Sequence, residues 1–189
     1  MAQQARIGRN PALQMRDQVL NYDLKQDRDY YKQAIEKLEG AEYDGSNLPI
    51  FLKKFDAKAQ QYNWTELLTY GQKDLLTHYG EITREEIKRK ALGYIGTNDR
   101  QDQDSDMIFN CLRKSISDKV FAKVTTEPER YKFAGTAVGA SPAPFCDGPC
   151  LLKAIIDKTY TSTKASGAVA RESLANLAEY MDALPDSNV

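Results

Sequence analysis

Apolar residues return along most of this chain every three or four positions, the spacing of one helix face, and nowhere do they alternate long enough to make a sustained strand. Leu13, Val19, Leu20, Leu24, Tyr31, Ile35 and Leu38 predict a helix from Pro11 to Leu38, with Pro11 suited to its first turn and Gly40 to its stop. Tyr43-Asp44-Gly45-Ser46-Asn47 reads as a turn. Pro49 then opens a helix that presents Ile50, Phe51, Phe55, Ala59 and Tyr62 and is closed by Trp64. Thr65-Glu66 leads into a short apolar stretch through Leu67, Leu68 and Tyr70, and Asp74 to Tyr79 predicts another short helix. Thr83-Arg84-Glu85-Glu86 has capping-box form ahead of Ile87, Ala91 and Leu92.

The stretch from Gly96 to Asp106 is polar and reads as turn-rich. Met107, Ile108, Leu112, Ile116, Val120, Phe121 and Val124 then predict one amphipathic helix. Between Thr125 and Pro149 the prolines and glycines crowd together, which predicts a long loop with local extended structure. Two helical runs follow, Leu151 to Tyr160 and a second carrying Val169, Leu174, Leu177, Met181 and Leu184 up to Pro185. The expected fold is all-α, a compact bundle of about seven helices. Residues 1–40 would form an N-terminal helical arm and residues 41–189 a helical domain, with the 125–149 loop as the place where two subdomains would divide.

Charge narrows the function classes. Lys and Arg number 26 against 27 Asp and Glu, and they interleave along the helices, so no basic stripe marks a nucleic-acid surface. The three cysteines, Cys111, Cys146 and Cys150, are an odd set in a chain large enough to do without disulfides, which points to a reducing compartment. Cys111 reads as a buried free thiol. Cys146 and Cys150 are at most half a zinc site, and the single histidine, His78, is far from them. No apolar run is long enough for a membrane span, and the polar N-terminus lacks a signal-peptide core, so cytoplasmic synthesis is expected.

Catalytic chemistry finds no support. His78 has no nearby nucleophile motif. Gly135-Thr136-Ala137-Val138-Gly139 lacks the Lys-Ser/Thr of a phosphate-binding loop, and Asp102, Asp104 and Asp106 lack the glycine and final glutamate of an EF-hand. Those three aspartates read instead as acidic decoration of a helix N-terminus. No cofactor, metal or small-molecule substrate is expected. The surplus is aromatic: 11 tyrosines, including the Tyr30-Tyr31 pair, suit helix packing and protein interfaces alike.

Three segments resemble the capsid region of Gag-like polyproteins of copia-type LTR retrotransposons. The first runs from Tyr43 through Gly45, Phe51 and Phe55 to Trp64, where an aromatic-x-Gly turn leads into an aromatic helix. The second, Asp106 to Val124 with Leu112 and Ile116, is similar to the family's central capsid helix. The third is Gly148-Pro149-Cys150-Leu151-Leu152 continuing to Leu177. Together they cover residues 43–184, and the zinc-knuckle residues of a nucleocapsid are missing. The resemblance implies a capsid protein, not an enzyme, that self-associates into a virus-like shell in the cytoplasm around element RNA, with that RNA bound by a downstream region. The expected contact surfaces are the first helix around Tyr30 and Tyr31 and the last around Leu177 and Met181. A co-opted monomeric interaction adaptor and an RNA-binding nucleoprotein are the alternatives.

Overall fold

The computed structural model describes residues 18–40, 42–133 and 145–160, together with Arg171 and Leu174. The fold is all-α, with only short antiparallel strand pairs between helices.

The first helix, α1 (Lys25–Ala34), is shorter than the apolar pattern predicted. Residues 18–24 are not helical and 11–17 lie outside the described residues. Local side-chain bonding explains the late start. Asn21 Oδ1 accepts from the Asp23 amide at 3.0 Å, and Asp27 Oδ2 accepts from the Asn21 amide at 2.7 Å, which gives the backbone an alternative to helix. This segment lies along the molecule. Gln103 brackets Leu20 from both sides, accepting from its amide at 2.7 Å and donating to its carbonyl at 2.8 Å. Leu38 lies beyond the helix but is buried.

Helix α2 (Leu48–Tyr62) begins after Asn47 and ends at Asn63, both in the left-handed conformation, with Pro49 in its first turn. Leu48, Phe51, Leu52, Phe55, Ala59 and Tyr62 form its buried face. One turn, α3 (Thr65–Leu68), leads into the hairpin β1 (Thr69–Tyr70) and β2 (Lys73–Asp74), which reverses at Gly71. The helix expected over 74–79 is a series of turns. The Asp74 side chain favours the turn by accepting from the Leu76 amide at 2.7 Å, while the α-type bond from the His78 amide to the Asp74 carbonyl at 2.8 Å is not continued into a helix. Helix α4 (Arg84–Tyr94) starts with the Thr83 and Glu86 capping box fully formed.

Helix α5 (Asp99–Ser115) starts well before Met107, inside the stretch that read as turns. Asn98 caps it by accepting from the Gln101 amide at 3.1 Å, and Asp99 and Asp102 sit in the first turn where the helix dipole favours them. Its first half escaped the hydrophobic pattern because the inward residues there are polar. Arg100, Asp104 and Ser105 are all buried, the first two as an ion pair at 2.9 Å. The helix then stops at Ser115, so the single helix expected through Val124 is two. Ile116 is extended and forms a parallel bridge with Tyr43, and Ser117 caps α6 (Asp118–Thr125).

The expected 125–149 loop holds a 3-10 turn (Pro128–Arg130) and the pair β3 (Lys132–Phe133) and β4 (Phe145–Cys146); residues 134–144 lie outside the described ones. Residues 148–160 form helix α7. Cys150, Leu151, Leu152, Ala154, Ile155 and Ile156 bury nearly its whole circumference, the mark of a central helix. No described helix is long and apolar enough to cross a membrane.

Candidate functional site

The turn before α2 carries Tyr43, whose backbone joins the end of α5. Its amide donates to Ser115 O at 2.8 Å and its carbonyl accepts from the Ser117 amide at 2.9 Å. The Tyr43 ring stacks on Phe51 with centroids 4.4 Å apart. Gly45, at φ +102°, lies where a Cβ would touch Val120 at 3.5 Å and Thr159 at 3.9 Å, so the turn packs against both α6 and α7. Phe55 and Trp64 are fully buried, and Trp64 stacks on Tyr62 at 5.4 Å. Leu112 and Ile116 are buried on the same core, as are Pro149 and Leu152 on α7.

Gly148 lies in close contact with α5. A Cβ built there would lie 2.5 Å from Ile108 and 2.5 Å from the Ser105 carbonyl, so the start of α7 touches α5 backbone to side chain. Beside it is a buried polar group that the sequence reading did not single out. Asp147 is fully buried; its Oδ1 accepts from the Cys150 amide at 2.7 Å, capping α7, and its Oδ2 accepts from Ser105 Oγ at 2.8 Å and from the Tyr94 hydroxyl. The Gly148 amide donates to Ser105 Oγ at 3.0 Å. Burial, reinforced by the Asp147 charge, holds the Tyr94 phenol far above its ordinary value. Asp147 before Gly-Pro is a legible N-cap, but Ser105 and Tyr94 carry no comparable signal.

Of the residues expected to face partners, Tyr30 and Tyr31 have contacts within the chain. Tyr30 packs edge-on to Tyr62 at 5.3 Å and lies under the Arg100 guanidinium at 5.7 Å. Tyr31 donates to Asp106 Oδ2 at 2.6 Å and accepts from Asn110 at 3.3 Å, and burial, then that bond, raises its phenol well above the ordinary range. Both tyrosines are part-buried. Leu177 and Met181 lie outside the described residues.

Of the three aspartates read as decoration of a helix N-terminus, Asp102 does lie in the first turn of α5, while Asp104 and Asp106 lie beyond it. Asp102 accepts from the Gly96 amide at 2.9 Å, Asp104 holds Arg100, and Asp106 holds Tyr31. All three cysteines are free thiols. Burial is the main cause that pushes each above the ordinary thiol value. His78 is exposed, its Nδ1 2.8 Å from Thr77 Oγ1. Among the described residues no group of three or more His, Cys, Asp or Glu side chains could hold a metal ion. Compared with family models, curated proteins and solved structures, the chain matches none.

Proposed function

We propose that this chain is the capsid segment of a Gag-like polyprotein of the copia type, a non-catalytic building block that self-associates into a shell around element RNA. The observation that supports the reading is the convergence of the three resembling segments on one core. Tyr43 bridges Ile116 through backbone hydrogen bonds, Gly45 packs on Val120 and Thr159, and Gly148 seats α7 against Ile108. Segments that resemble one family in their order along the chain are thus also interlocked in space. Shell formation would repeat weak contacts whose sum is large because symmetry closes them. RNA would be held by a region outside this chain, in keeping with the formal net charge of −1.

Light scattering across a concentration series, followed by negative-stain microscopy, tests this. The expected result is concentration-dependent growth into closed particles. A strict monomer at every salt concentration would sink the proposal. It would favour a co-opted monomeric adaptor, a reading already supported by the way Tyr30 and Tyr31 spend their hydroxyls and ring faces within the chain.

A further inference from the structure

Where α7 meets the start of α4 and the 3-10 turn, positive charge gathers from three separate elements. Arg84 opens α4, Arg130 ends the 3-10 turn, and Lys153 is a buried lysine of α7; all three line one small pocket with Ile87, Cys150 and Ala154. Lys88, one turn beyond Arg84, lies 5.8 Å from the Phe133 ring and close enough to Cys150 to act on its thiol. Asp157 accepts from Arg84 at 2.6 Å and from Lys153 at 3.1 Å. Glu127 pairs with both Arg130 and Lys158. Four cations therefore share two carboxylates, with Lys88 close by, in a chain whose charges otherwise nearly cancel.

This excess is felt within the pocket. Burial and then the neighbouring Arg84 charge pull the Arg130 guanidinium below its ordinary value, against the opposing effect of Asp157. Lys153 is positioned by its bond to the Tyr79 carbonyl at 2.5 Å as well as by Asp157. Two guanidinium forks and a fixed ammonium suit a tetrahedral oxyanion with several acceptor oxygens, better than a single carboxylate. The pocket as a whole admits little more than one water-sized group, so a phosphoryl group would sit at its mouth with its oxygens towards the cationic side chains rather than the apolar lining.

We propose that Arg84, Arg130 and Lys153 form a binding site for a phosphoryl group, supplied by a free polyphosphate or by a nucleic-acid backbone. The site is independent of the assembly reading, since its test uses binding and not particle formation. The full chain would be titrated calorimetrically with sodium pyrophosphate and, separately, with a short oligouridylate at two salt concentrations. Variants R84Q, R130Q and D157N would be compared with R113Q, whose arginine pairs with Asp118 elsewhere, each first matched to wild type by far-UV circular dichroism.

Pyrophosphate is expected to bind at one site, weakened about tenfold by R84Q or R130Q, since each removes one charge-assisted contact. R113Q should leave binding unchanged. D157N should tighten it by releasing two cations, a gain that a misfolded protein cannot show. Oligouridylate binding alone, with the same variant pattern and a steep fall in salt, would assign the phosphoryl group to a nucleic-acid backbone. Binding of neither probe, or equal binding by wild type, R84Q and R130Q, would overturn the site.

Discussion

Replacing Gly148 by alanine tests the α5–α7 contact directly. The added methyl would lie 2.5 Å from Ile108 Cβ and Cγ2 and 2.5 Å from the Ser105 carbonyl oxygen. Carbon atoms rest about 3.5–4.0 Å apart, so one helix has to move by roughly 1 Å. Neither is free to do so. Ile108 is fully buried, and the residues beyond Gly148 are buried almost all round α7. Overpacking of this kind costs about 1–3 kcal/mol. The same shift stretches the Gly148 amide bond to Ser105 and the Asp147 contacts, adding about 1 kcal/mol for each bond lost. Alanine's better helix propensity returns at most about 1 kcal/mol, so the net expectation is a loss of about 2–3 kcal/mol. Urea unfolding followed by far-UV circular dichroism measures it as a lower midpoint at unchanged slope. Gly93→Ala is the matched control, because that glycine is helical and a Cβ there meets nothing within 4 Å. It should stabilise by about 0.5 kcal/mol. A Gly148→Ala midpoint equal to or above that of Gly93→Ala would refute the reasoning.

Thr83→Ala removes one half of the capping box and should cost about 1 kcal/mol, read from thermal melts. Asp104→Ala leaves Arg100 buried without its ion-pair partner and should cost about 3–5 kcal/mol, while Arg100→Met with Asp104→Leu together should recover most of the loss. Asp102 is raised above the ordinary carboxylate range, first by burial, and its Oδ1 has no hydrogen-bond partner. The folded chain therefore holds that proton more tightly than the unfolded chain, and this group's contribution to stability falls as pH rises from the ordinary carboxylate value through the raised one. Asp102→Asn should gain on wild type over that window. Equal chemical-denaturation midpoints for the two proteins at acid and neutral pH would show the sign to be wrong.

Much of the fold was legible where packing is apolar. The α2 face apart from Ile50, which is exposed, the capping box of α4 and the apolar α7 follow from spacing and end signals. What escaped has a common physical cause. Arg100, Asp104 and Ser105 are buried on the inner face of α5, the first two paired with each other one turn apart and Arg100 and Ser105 also bonded to Gln18 and Asp147, remote in sequence, so the segment looked solvated. Asn21, Asp27 and Asp74 divert the backbone with short-range bonds that a count of apolar positions ignores. The break at Ile116 was hidden by the residue itself, whose side chain stays buried and so fits the helical period while its backbone turns to meet Tyr43. Only Ser117, the new cap, advertised it.

That pattern bears on how assembly has to be probed. Tyr43, Phe51, Phe55, Trp64, Leu112 and Ile116 all lie in the core, so truncating any of them would unfold the chain and abolish particles whatever the protein's role. Gly45 and Gly148 act through the space they leave empty, and substitution there would have the same ambiguity. An informative variant must touch surface alone. Ile50, beside buried Phe51 in the first turn of α2, is 57% exposed, so Ile50→Ser should change stability by no more than about 0.5 kcal/mol. If α2 meets another subunit there, light scattering would show a shift in the assembly midpoint at unchanged melting temperature. An equal change in both would place Ile50 in the fold alone, and no change in either would move the contact to another face.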